Sequence, residues 1–154
     1  TGDAEHPLHD FELAVARIKA ARQAIDETGR GVLLTGRSEG FICGRPDDSD
    51  DAEADRISAE AGADCLYAPG IHKREDIAAV VAAVAPKPVN LLINTTFITV
   101  AEAADLGVRR ISVGGALART AWAGFLHAAK EIADEGTFAC FEGLPKVDAM
   151  FLGQ

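Results

Sequence analysis

The sequence predicts an α/β protein whose strands lie parallel in one sheet. Three observations predict it. Helix-period and strand-length apolar segments alternate along the chain in the order α-β-α-β-α-β-α-β-α. Three of the strands share a grammar: a glycine closes the preceding helix (Gly29, Gly62, Gly107) and another follows the strand (Gly36, Gly70, Gly114). Strands separated by helices join through right-handed crossovers, which make the sheet parallel. Four strands are too few for a closed (β/α)8 barrel, which takes about 250 residues. They are also fewer than the roughly five or six of a doubly wound sheet. The 154 residues therefore fit a small open sheet or half of a barrel, as a single domain over 1–154. The two unpaired edges of a half-barrel would invite a partner.

The elements follow in order. Asp10 is placed to N-cap a helix running to about Thr28, with Phe11, Ala14, Val15, Ile18, Ala21 and Ile25 at helical spacing and Gly29 as its left-handed cap. Gly31–Phe41, GVLLTGRSEGF, holds the first strand. Val32, Leu33 and Leu34 form its apolar run, and Arg37 and Glu39 stand at its carboxyl end. If the strand stays extended to Glu39, alternation places Leu33, Thr35, Arg37 and Glu39 on one face. Gly44–Asp51 reads as a solvated Pro- and Asp-rich loop, and Asp51–Ala61 as a weakly apolar helix. The aspartates 47, 48, 50 and 51 lack the ligand spacing, glycine and terminal glutamate of an EF-hand. Asp64–Ala68 is the second strand, closing on Pro69-Gly70. Arg74–Val84 is a helix whose Ile77, Val80, Val81 and Val84 share a face, stopped by Pro86 and Pro88. Val89–Ile93 is the third strand. Thr99 and Glu102 form a capping box for a short helix closed by Gly107. Arg110–Val113 is the fourth strand, followed by Gly114-Gly115 and a helix over Ala116–Glu135 with Leu117, Ala121, Phe125, Ala128 and Ile132 along one stripe. Residues 137–154 are apolar in patches and carry no assignable pattern.

Composition narrows the function. A net charge of −9 argues against a nucleic-acid groove, which needs a basic stripe. No apolar run approaches the roughly 18 residues of a membrane span. Three widely spaced cysteines without a CxxC suit a reducing cytoplasm. Chemistry is expected where the four strands end. Arg37 offers a fork for a carboxylate or phosphate, or an internal ion pair with Glu39. Glu39 could act as a base, reach a metal through water, or simply orient Arg37. Asn90 and Asn94 share one face of the third strand, and buried amides there need partners. Gly114-Gly115 could let backbone N–H groups approach an anion, or make a tight turn. Ser112 is read as a core or hydrogen-bonding residue.

Several segments resemble the isocitrate lyase/phosphoenolpyruvate mutase family. GVLLTGRSEGFICGRPD resembles its fifth-strand signature. EAGADCLYAPG, PVNLL and AADLGVRRISVGGALARTA are similar to its sixth, seventh and eighth strands, and PLHDFELAVARIKAARQA to the preceding helix. The resemblance covers the chain to about Phe138. It implies strands 5–8 of a TIM-type (β/α)8 barrel, from a family of Mg2+-dependent lyases and mutases. These make or break C–C or P–C bonds of small 2-oxo or hydroxy acids, usually as homo-oligomers. By this resemblance Arg37 grips the substrate carboxylate or phosphonate, with Glu39, Asn90, Asn94, Gly114 and Gly115 in support. The family's metal ligands and gating loop belong to strands 1–4, which nothing here matches. The chain alone is therefore expected to be inactive. Gly70 stands where the lyases proper carry a glutamate. The alternative is a non-catalytic half-barrel that dimerises or binds small anions.

Overall fold

The computed structural model describes residues 2–5, 7–43 and 61–152. The chain divides into two compact units, Thr1–Gly114 and Gly115–Gln154. The predicted loop at 44–51 and almost all of the helix predicted over 51–61 lie outside the described residues.

In the first unit, helix α1 (Phe11–Thr28) is followed by strand β1 (Thr35–Arg37) and a single helical turn α2 (Gly40–Cys43). Then come β2 (Cys65–Tyr67), α3 (Arg74–Val84), β3 (Val89–Leu92), α4 (Val100–Asp105) and β4 (Arg110–Ser112). The strands form one parallel sheet in the order β1-β2-β3-β4. This strictly sequential order distinguishes the two architectures left open by the sequence. A doubly wound sheet reverses its strand order at a switch point. Here each strand neighbours the next in sequence, and right-handed connections through α3 and α4 place both of those helices on one face, as in a barrel wall.

The register shows which face that is. Gly36, Leu66 and Val89 are neighbours across three strands, and Leu91 pairs with Ile111. Leu66, Val89 and Leu91 are buried, and α3 contributes Ile77, Val80 and Val84 to the same core. Phe41 and Val81 pack against both of the core's clusters and join them. The opposite face carries Thr35 and Arg37, Cys65 and Tyr67, Asn90 and Leu92, and Arg110 and Ser112.

Helix bounds agree closely with the sequence, and strand bounds less so. The Thr99–Glu102 capping box forms as predicted, with both reciprocal hydrogen bonds present. Asp10 stands at the N-cap of α1, but its side chain makes no capping bond. The first strand is displaced. Val32 and Leu33 lie outside it, with Leu33 77% exposed, and pairing begins at Thr35. The cause is the partner: β2 begins at Cys65, and the chain before β1 is held by Asp64. Its carboxylate accepts from Leu34 N (2.7 Å) and Arg22 Nη1 (2.8 Å), while its own N–H donates to Leu34 O (2.8 Å). The stem of Arg22 passes so close that a Cβ on Gly62 (φ +109°) would meet its Cγ at 2.9 Å.

The second unit consists of α5 (Ala116–Glu135), a 3-10 turn (Ala139–Phe141) and a last helical turn α6 (Asp148–Phe151). Gly136 caps α5 in the left-handed conformation. The Glu131 carboxylate receives Thr137 Oγ1 (2.6 Å), Ala139 N (2.7 Å) and Cys140 N (2.9 Å), which folds the segment after α5 back onto that helix. These bonds hold Glu131 at a pKa of about 2.

Candidate functional site

Strand ends position the polar groups. β1 stops at Arg37, and Ser38 N extends its pairing by one bond to Tyr67 O (2.9 Å). The chain then turns. The Glu39 carbonyl accepts from Ile42 N and Cys43 N (both 3.0 Å) and opens α2. Glu39 therefore lies beyond the strand, which corrects the expectation of an extended run to that residue. Turning the chain brings the two side chains face to face. Arg37 Nε lies 2.5 Å from Glu39 Oε1, and Nη2 donates to Oε2 at 3.1 Å. The guanidinium carbon sits 5.4 Å from the centre of the Tyr67 ring, within range of a cation–π contact. The hydrogen bond with Glu39 raises the Arg37 pKa further above its already high value.

Asn90 sits in a different environment. It is 1% exposed on the polar face of the sheet, and its Nδ2 donates to Ser112 Oγ at 3.0 Å. Its Oδ1 is buried without a partner among the described residues. The partner expected for a buried amide is thus met on one side only, and Ser112 has the hydrogen-bonding duty read from the sequence. Asn94 lies beyond the end of β3 and is exposed. It does not share Asn90's buried setting. The loop carrying Asn94, Thr95 and Thr96 leads to Phe97, whose ring meets His72 edge-on at 4.8 Å. At the next helix, Arg74 pairs with Glu102, whose capping bonds to Thr99 and pairing with Arg74 hold its pKa at about 2.

The glycines at the strand ends act by shape. Gly70 has φ +98°, and a Cβ there would meet Phe41 O at 3.2 Å and Ile42 Cγ1 at 3.2 Å. The turn after β2 is therefore packed directly beneath α2. Gly114 (φ +53°) ends the first unit with Leu92 Cδ1 3.6 Å from a Cβ position, and Gly115 is the N-cap of α5. Both glycines are exposed.

Of the six residues singled out from sequence, the structure joins Arg37 to Glu39 directly. Asn90 is tied to Ser112. Tyr67 was not singled out; the register that pairs it with Arg37 puts both on one face. Among the described residues, no group of three or more His, Cys, Asp or Glu side chains could hold a metal ion. The Mg2+ that the resemblance implies thus finds no such cluster among the described residues. Burial pushes the Cys65 thiol pKa up, against the opposing charge of Arg110. Among the described residues, no helix is long and apolar enough to cross a membrane.

A sequentially wound parallel sheet with helices on one face and charged groups at its strand ends defines a barrel-type α/β fold. A family profile described as phosphoenolpyruvate phosphomutase matches residues 1–133. The chain belongs to that family, within the PEP mutase/isocitrate lyase superfamily. Among solved structures, it is similar to a protein of Burkholderia cenocepacia J2315 provisionally described as a lyase/mutase. The identity is 39% and the TM-score 0.89, covering 99% of this chain and 56% of that one. 2,3-Dimethylmalate lyase is 26% identical with a TM-score of 0.78, covering 94% of this chain and 51% of its own. Oxaloacetate acetylhydrolase, solved with its product oxalate, is 25% identical with a TM-score of 0.79, over 94% and 50%. This chain thus spans about half the length of the structures it matches. No curated protein sequence matches it.

Proposed function

We propose that this chain forms the substrate-gripping wall of a lyase or mutase acting on small 2-oxo or hydroxy carboxylic acids or their phosphonate counterparts. The observation that carries the reading is the Arg37 guanidinium at the carboxyl end of β1, backed by Tyr67 and half exposed. A planar fork there suits a carboxylate or phosphonate. Lyase chemistry next to a carboxylate builds negative charge that fixed cations stabilise. The names of the relatives point the same way, since they act on dimethylmalate and oxaloacetate. Mg2+ belongs to the proposal through the family, and its ligands would come from groups other than the described ones. Asn94, Gly114 and Gly115 are proposed to line the same rim.

The reading is tested by titrating the purified chain with oxalate in a calorimeter. Binding that disappears in Arg37→Ala supports it, and equal binding by wild type and variant refutes it. The chain by itself is expected not to turn over. Mg2+-dependent release of oxalate from oxaloacetate by the purified chain would overturn that part.

The unpaired outer edges of β1 and β4 among the described residues favour one further reading, a non-catalytic dimer of half-barrels. Sedimentation decides it: a stable monomer removes the dimer.

A further inference from the structure

We propose that Glu39 is an internal stand-in for the anionic group of the ligand, and that its displacement from Arg37 determines which anions this site accepts. The inference rests on reading Arg37 as the anion grip. Three features carry it. Glu39 occupies the Nε and Nη2 edge of the guanidinium, at 2.5 and 3.1 Å, which is an edge a bidentate carboxylate uses. Its carboxylate has no other polar partner among the described residues. Its backbone, by contrast, is fixed by the carbonyl bonds from Ile42 N and Cys43 N. The side chain can therefore rotate off Arg37 without moving the chain. Both groups are open to solvent, with side chains 49% and 37% exposed, so a ligand can reach the pair. An ion pair this exposed is weak.

Tyr67 gives the exchange its specificity. Its ring lies 5.4 Å from the guanidinium carbon and stays in place when the carboxylate leaves. The arginine thus remains aimed while its partner changes. Replacing Glu39 requires two oxygens on one centre to fill both donors. The displaced carboxylate remains nearby as a like charge, so it opposes the incoming anion and disfavours extra negative charge. The class selected is the small acid whose carboxylate or phosphonate presents two oxygens on one centre. Monodentate anions such as chloride are excluded.

The test is calorimetric titration of the full chain and its Glu39→Gln and Glu39→Ala variants with oxalate at constant ionic strength, with circular dichroism to confirm folding. Removing the stand-in is expected to tighten oxalate binding by roughly fivefold, and chloride is expected not to compete in wild type. Equal or weaker binding in both Glu39 variants, with Arg37→Ala abolishing it, overturns the stand-in and leaves the grip intact. No binding by wild type or by either Glu39 variant overturns both, because a freed guanidinium should bind best of all. Chloride competing as well as methylphosphonate would also overturn the stand-in.

Discussion

Arg22 and Asp64 meet at 2.8 Å across 42 residues of chain, at the end of the sheet opposite the candidate site. Asp64 also receives the Leu34 amide, so one carboxylate fixes α1 and the approach to β1 together. Replacing Asp64 by Ala is expected to destabilise the protein by about 1–3 kcal/mol, because it leaves the Leu34 amide without its acceptor and removes one of the two carboxylates, Asp64 and Asp26, on the partly buried Arg22 guanidinium. Urea unfolding measures this. An unchanged midpoint would show that the contact holds nothing.

Acid should act on two carboxylates that are depressed among the described residues. Glu102 and Glu131 each fall from the usual 4.5 to about 2 in the folded chain. Carboxylates with lowered folded pKa values contribute stability that is complete above the unfolded pKa and lost as pH falls through the folded one. Stability should therefore decline between about pH 4.5 and pH 2. Glu102→Gln should flatten part of that decline and lower stability at neutral pH, since its charge-assisted bonds to Thr99 and Arg74 are lost. Thermal melts across the range supply the comparison.

The orphaned oxygen of Asn90 makes a less intuitive prediction. Ser112→Ala alone removes the acceptor of Asn90 Nδ2 and should cost about 1–3 kcal/mol. Combining it with Asn90→Leu removes the buried amide altogether and should recover most of that loss. A double-mutant cycle by chemical unfolding tests the pair. Additive losses would show that the amide is satisfied by some other group.

Gly70 should tolerate no side chain. Its φ of +98° and the Phe41 carbonyl 3.2 Å from a Cβ position make Gly70→Ala destabilising by about 1–2 kcal/mol. The same change should shift α2 and with it Glu39. A lower melting temperature together with altered oxalate affinity is the expected outcome.

Much of the fold could be read from the sequence because helices state their own limits. Arg74–Val84 and Ala116–Glu135 are bounded by proline or glycine and carry their periodicity over several turns. The strands are only three or four residues long. Their limits are set by where a neighbour pairs, which is why Val32 and Leu33 read as strand and lie outside it. The site was legible in its charged pair but not in its shape. A residue at i+2 on an extended strand points the same way as its neighbour, and only the turn into α2 lets Glu39 bend back to grip Arg37. Tyr67 was missed because an aromatic in a short strand looks like core until the register sets it beside an arginine.

The strand order carries one more consequence. Each strand pairs with the next one in the chain, so every pairing closes a loop containing only the intervening connection. Closure entropy is then modest at each step, and the wall can grow unit by unit without waiting for its ends to meet. β3 stands in the middle of that growth, joined to β2 on one side and β4 on the other. Pulsed hydrogen exchange during refolding should find the β3 amides protected first and the Thr35–Arg37 edge last.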